Sequence, residues 1–262
     1  MISLFRRKPK AAPAKKRDGA KKGDAKEKEQ SLHLAIDGAA VEVKLRLNPR
    51  ARRVIVKVHP NTGDVTIVAP SRRGLQHALD FARGEHDWIA RQRARVPAMV
   101  TLVPGAKLPF RGQVHEIRHG GTRGPVPVWR DEDSHVIWVT GRAEHAPRRI
   151  ADFLKREARA LCEAQALEYG ARLGVLPTRI TMRDTASRWG SCSAARTISF
   201  SWRLIFAPDF VRDYVVAHEV AHMKEMNHGP RFWKLVEKLH PDFEVAQAWL
   251  RTQGRNLQRY KV

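Results

Sequence analysis

The sequence predicts an α+β protein with an antiparallel β-rich N-terminal portion and a mixed, helix-rich C-terminal portion. Three observations carry that prediction. Short runs of alternating apolar and polar residues fill the stretch from Leu32 to Ala69 and return between Thr101 and Thr140. From Pro147 onward the apolar spacing changes to a helical period of about 3.6 residues. Ahead of both lies an opening too polar to build a core: residues 1–30 hold eleven Lys or Arg and four Asp or Glu. The expected divisions are a disordered basic tail over 1–30, a β-rich portion over 31–145 and a mixed, helix-rich portion over 146–262.

In the β-rich portion, LHLAI, VEVKLRL, RRVIVKVH and DVTIVAP are separated by turn residues at Asp37-Gly38, Asn48-Pro49 and Asn61-Thr62-Gly63, which predicts an antiparallel meander of three or four strands. Leu75, Leu79, Trp88 and Ile89 form a broken helical stripe between Leu75 and Val96. TLVP, QVHEIRH, VPVWR and HVIWVT make a second β-rich region with turns at 120–124 and 131–134. Pro147 suits a helix start and Gly170 a helix end, and between them Ile150, Phe153, Leu154, Ala158, Leu161 and Leu167 share a face. Three more helices are expected at roughly 208–226, 230–239 and 242–253. No internal repeat is evident.

Charge is the strongest compositional signal. The chain carries 49 Lys plus Arg against 27 Asp plus Glu, a formal net charge of +22. Such a field attracts polyanions and makes nucleic acid a candidate partner, through the surface or the tail. Two cysteines, Cys162 and Cys192, make no disulfide framework and favour a reducing, cytoplasmic setting. The opening MISLFRRKPK lacks the apolar core of a signal peptide, and no later window is long and apolar enough to span a bilayer. Ile2, Leu4 and Phe5 with the following cations leave room only for a peripheral membrane contact.

The decisive string is AHEVAHMKEMNHGPRFW. Four residues apart on a helix, His218 and His222 project from one face and can offer ring nitrogens to a single ion. Glu219 sits beside that pair, about 100° around the helix, placed to reach a water rather than to ligate. An unbroken helix would carry His228 roughly 15 Å beyond His218, so a break is required, and Asn227 and Gly229 supply one. Three imidazoles leave a fourth position open, the arrangement of a catalytic rather than a structural site, with Zn²⁺ the preferred ion and iron, nickel and manganese left open by the ligand set. Upstream, Arg188 and Arg203 are candidates for stabilising a developing oxyanion. Trp189 and Trp202 read as core residues, and Cys162 and Cys192 as structural thiols.

These residues resemble the YgjP-like zinc metallopeptidases, a family related to SprT-like proteins and to the zincins. The likeness rests on SRWGSCS at 187–193, on SWRL at 201–204, where Ser201 stands in place of the family's usual Asn, and on His218, Glu219, His222 and His228 followed by Phe232 and Trp233. It spans about 31–253. The resemblance implies a zincin-like catalytic core, one catalytic zinc ion and a peptide or protein substrate. Two other readings stay open at the level of sequence: a metal-dependent phosphohydrolase acting on nucleotides or other phosphorylated compounds, and a nucleic-acid-associated binding protein with an auxiliary metal.

Overall fold

The computed structural model describes residues 30–36, 38–59, 62–71, 74–96, 98–124, 126–185 and 188–261. The expected basic tail, apart from Gln30, and the turn residues Asp37 and Asn61 therefore lie outside the described residues. The described chain forms two compact units that divide between 96 and 98.

In the first unit, β1 (Gln30–Ile36), β2 (Ala39–Leu47), β3 (Ile55–Val58) and β4 (Val65–Ala69) make one sheet in the order β1-β2-β4-β3. The expected meander is corrected here. β1 and β2 pair antiparallel, as do β3 and β4, but β2 and β4 run parallel. The reason lies in the connection after β2, which carries the chain to the outer edge before a hairpin through Gly63, at φ 73°, brings β4 back beside β2. The single helix expected over 75–96 is two, α1 (Leu75–Gly84) and α2 (His86–Ala94), broken at Glu85. Val43, Leu45, Val65 and Ile67 on the sheet are buried together with Ala78, Ala82 and Ile89 on the helices, whose small alanines permit close approach.

The second unit opens with β5 (Val100–Thr101), then β6 (Lys107–Phe110), β7 (Gln113–His119), β8 (Val128–Asp131) and β9 (Val136–Val139). The last four repeat the first unit's plan, in the order β6-β7-β9-β8 with a parallel central pair, so a likeness invisible in the residues exists in the topology. α3 (Ala146–Leu173) follows and ends at Gly174, left-handed at φ 65°, not at Gly170. Gly170 is a packing residue: a Cβ there would lie 2.5 Å from the Val175 carbonyl oxygen. Then come β10 (Arg179–Arg183), β11 (Gly190–Cys192) and β12 (Thr197–Ser201), in the order β10-β12-β11, and the helices α4 (Asp209–His222), α5 (Pro230–Leu239) and α6 (Phe243–Gln253). β13 (Tyr260–Lys261) closes the unit by pairing with β5.

Strands 98–139 pack with the helices, so the compact unit begins at 98, whereas the composition changes near 145. The physical ties are specific. At the β6–β7 hairpin, Arg111 N–H donates to the Ile205 carbonyl (2.7 Å), its guanidinium pairs with Asp209 at the start of α4, and Gly112 lies so close to Pro208 that a Cβ would sit 3.0 Å from it. Leu108, Phe110, Ile117 and Ile137 share one core with Ile150, Leu154, Phe200 and Val216. Among the described residues no helix is long and apolar enough to cross a membrane.

Candidate metal centre

α4 is buried along most of its length, with Val211, Val215, Val216 and Val220 in the core. That burial fixes the rotation of the helix, and with it the direction of His218 and His222, which are 1% and 8% exposed. The helix ends at His222, four residues before the sequence reading placed its end, and a tight turn through Met223 and Lys224 follows. The early stop shortens the path back, and His228, exposed to solvent, closes on the pair.

Nε2 of His218 lies 3.2 Å from Nε2 of His222 and 3.1 Å from Nε2 of His228. A tetrahedral ion with metal–nitrogen bonds of about 2.05 Å has ligand–ligand edges of about 3.3 Å, so this spacing fits the first shell of a metal. Three ring nitrogens converging on one point cannot all hydrogen-bond to one another, and burial lowers the pKa of each histidine, that of His218 to about 2. They are therefore neutral, ligand-ready imidazoles at physiological pH. The ring of Phe232, fully buried, lies 4.5–4.8 Å from all three imidazoles and forms a common apolar floor. His222 Nδ1 lies 3.0 Å from the Glu225 carbonyl, to which a protonated Nδ1 donates, leaving Nε2 with its lone pair toward the centre. His218 Nδ1 faces the Tyr214 hydroxyl at 3.5 Å, and Gln247 Nε2 donates to that hydroxyl at 2.9 Å.

Glu219 is 2% exposed, and burial pushes its carboxyl up to about 8, opposed by the positive charge of Arg188. Its neighbour across the gap is Gly190 on β11: a Cβ at that position would fall 2.6 Å from both Cγ and Oε1 of Glu219. The glycine is thus the space in which the carboxylate lies.

A family model for the YgjP-like metallopeptidase domain matches residues 52–253. The chain belongs to the YgjP-like metallopeptidase family. Its activity class is that of a metal-dependent peptidase. A solved metallopeptidase zymogen, abylysin of Pyrococcus abyssi, is similar at 25% identity over 38% of this chain and 99% of its own, with a TM-score of 0.33. No curated protein matches.

The two arginines singled out in the sequence part company. Arg203 is buried, and its guanidinium donates to Asp184 (2.8 Å) and to the Tyr260 carbonyl (2.6 Å), clamping β13 against the end of β10. Those bonds occupy it structurally. Arg188 is exposed, and its charge reaches Glu219. Trp202 is fully buried, as part of a 3-10 turn over Trp202–Phe206 that begins where β12 ends at Ser201. The edge strand beside α4 is β11, with β12 in the middle of the sheet. Cys192 is a free thiol raised to about 11 by burial and by Glu219, and Cys162, fully buried in α3, is raised to about 12 by burial, so neither is a thiolate at neutral pH. Gly190, Phe232, Tyr214 and Gln247 were given no role by sequence reasoning. For Gly190 the available signal was a glycine inside an otherwise strand-like run, which marks a close approach.

Burial of these groups sets the pH response of the metal-free protein. The lowered histidines bind protons more weakly folded than unfolded, so their contribution is complete above their ordinary 6.5 and is lost as pH falls below it. Glu219 acts in the opposite sense: its contribution is complete below the ordinary 4.5 and is lost as pH rises toward about 8. Thermal unfolding of chelator-treated protein is therefore expected to show a midpoint that declines between pH 6.5 and about 8, a decline that Glu219→Gln flattens. The same slope in both proteins would remove Glu219 as its source.

Proposed function

We propose that this protein is a zinc-dependent peptidase in which His218, His222 and His228 hold one zinc ion and Glu219 acts as general base. The observation that carries the reading is the convergence of three imidazole nitrogens, those of His222 and His228 lying 3.2 and 3.1 Å from that of His218, next to a buried carboxylate on the helix that carries His218 and His222. Zinc bound there supplies Lewis-acid polarisation of a scissile carbonyl and lowers the pKa of water. Glu219 takes the proton of the attacking water and returns it to the departing amine. Its raised proton affinity suits both transfers, because a base near neutral pKa is also a competent acid. Arg188 contributes positive charge for the oxyanion that develops on the carbonyl. β11, an edge strand among the described residues, offers backbone for an extended substrate to pair with next to Glu219. A two-metal phosphohydrolase centre would need clustered carboxylates, and the metal-binding group among the described residues is the histidine trio.

Separating metal binding from chemistry tests this reading. With a peptide substrate found by library screening, Glu219→Gln is expected to retain stoichiometric zinc while turnover falls by about 10²–10⁴-fold. His222→Ala is expected to lose zinc and turnover together. Wild-type turnover in the Gln variant contradicts the general-base role, and full zinc affinity in the Ala variant contradicts the ligand assignment.

Gly190→Ala tests the positioning of the carboxylate. The added methyl must displace Glu219 or β11, so zinc content is expected to stay at wild-type level while turnover drops by on the order of 10²-fold. Unchanged turnover would show that the space at Gly190 is not needed.

A further inference from the structure

We propose that the open edge of β3, with the groove between it and α1, is a docking site for extended polypeptide that mixes acidic and β-branched apolar residues. The proposal rests on the peptidase reading only for why such a chain would be presented. β3 is the edge of its sheet, and no strand lies beyond it among the described residues. The direction of its free groups follows from the ladder. His59 N–H donates to the Asp64 carbonyl at 2.8 Å, and the pairs Lys57 with Thr66 and Ile55 with Val68 keep that phase. In an antiparallel ladder successive residues alternate, so the N–H and C=O of Val56 and Val58 face outward. They repeat every two residues, about 6.8 Å, the spacing at which an added strand presents its partners.

Beside this edge lies a groove of about 560 Å³, with residues 53–56 on the strand side and His77, Phe81, Glu85 and Trp88 on the helical side. Phe81 is 43% exposed there, a large apolar surface suited to covering by a β-branched side chain. Charge chooses the partner. The segment that forms this edge, residues 50–59, carries the exposed Arg50, Arg52, Arg53 and Lys57 and no Asp or Glu, while the groove itself is lined by one arginine, Arg53, and one acid, Glu85. An added strand with carboxylates among its apolar residues meets those cations, and a basic one is repelled. Peptide groups without a strand partner among the described residues, at strand spacing next to an apolar wall, favour a polypeptide over a nucleic acid, whose phosphates need only the charge.

The test uses the full-length chain carrying Glu219→Gln, so that binding is read without hydrolysis and its failure is separable from failure of the catalytic reading. Fluorescence anisotropy measures a labelled decapeptide of five Val-Glu repeats, the same peptide N-methylated at alternate residues, a Val-Lys decapeptide and an oligothymidylate. The Val-Glu peptide is expected to bind, with the methylated and Val-Lys peptides at least about tenfold weaker. Val56→Pro removes an outward N–H while sparing the β3–β4 ladder, and Phe81→Ser strips the groove wall without touching the strand. Each is expected to weaken the Val-Glu peptide by about tenfold at unchanged zinc content. Absence of Val-Glu binding, equal binding of the methylated peptide, or no loss in both variants overturns the proposal. So does tighter binding of oligothymidylate that displaces the peptide, or a dimer in sedimentation that Val56→Pro abolishes, which would make the occupant a second copy.

Discussion

Everything at the candidate site depends on holding three neutral imidazoles with their ring nitrogens close together. Left in water, each ring would titrate near 6.5; with the Nε2 atoms of His222 and His228 at 3.2 and 3.1 Å from that of the buried His218, desolvation keeps them neutral and their nitrogens converge. Such an arrangement is unfavourable on its own, because desolvating polar rings costs free energy. The core supplies the compensation: the valines of α4 fix one pair of rings and Phe232 supports all three from below. A cation between the nitrogens would turn the same geometry from a cost into a favourable contact.

The remaining architecture serves the orientation of α4. Its N-terminal end is held by the hairpin residues Arg111 and Gly112, its C-terminal end is released early by the turn after His222, and its flank is met by β11. This explains why strands before residue 140 pack with helices after it: without the β6–β7 hairpin the start of α4 would lose an ion pair, and the turn that leads into it a backbone hydrogen bond. Gly190 and Glu219 show the same economy at smaller scale, since a strand without a side chain at one position gives a buried carboxylate its place.

Much of this was legible in the residues. The His218–His222 spacing gave the face of the helix, the need to fold His228 back gave a break, and alternation gave most strands. The break itself was placed late because Met223 and Lys224 carry no stop signal, and the chain leaves the helix to let His228 return and Glu225 accept from His222. Gly170 misled for a related reason: a glycine chosen for close packing against Val175 looks the same in sequence as one chosen to end a helix. Parallel pairing of β2 with β4 and of β7 with β9 had no local signature, because strand order is set by which edges meet and not by the pattern within a strand. The bonds that hold Arg203 were equally hidden, since its partners Asp184 and Tyr260 are remote from each other in sequence.

The account stands on the composition of the metal's first shell. Zinc K-edge X-ray absorption on the zinc-loaded, full-length protein measures that shell directly. Three imidazole nitrogens at about 2.0–2.1 Å with one additional light-atom ligand are the expected result. A sulfur scatterer at about 2.3 Å, or a shell with fewer than three imidazoles, would contradict it.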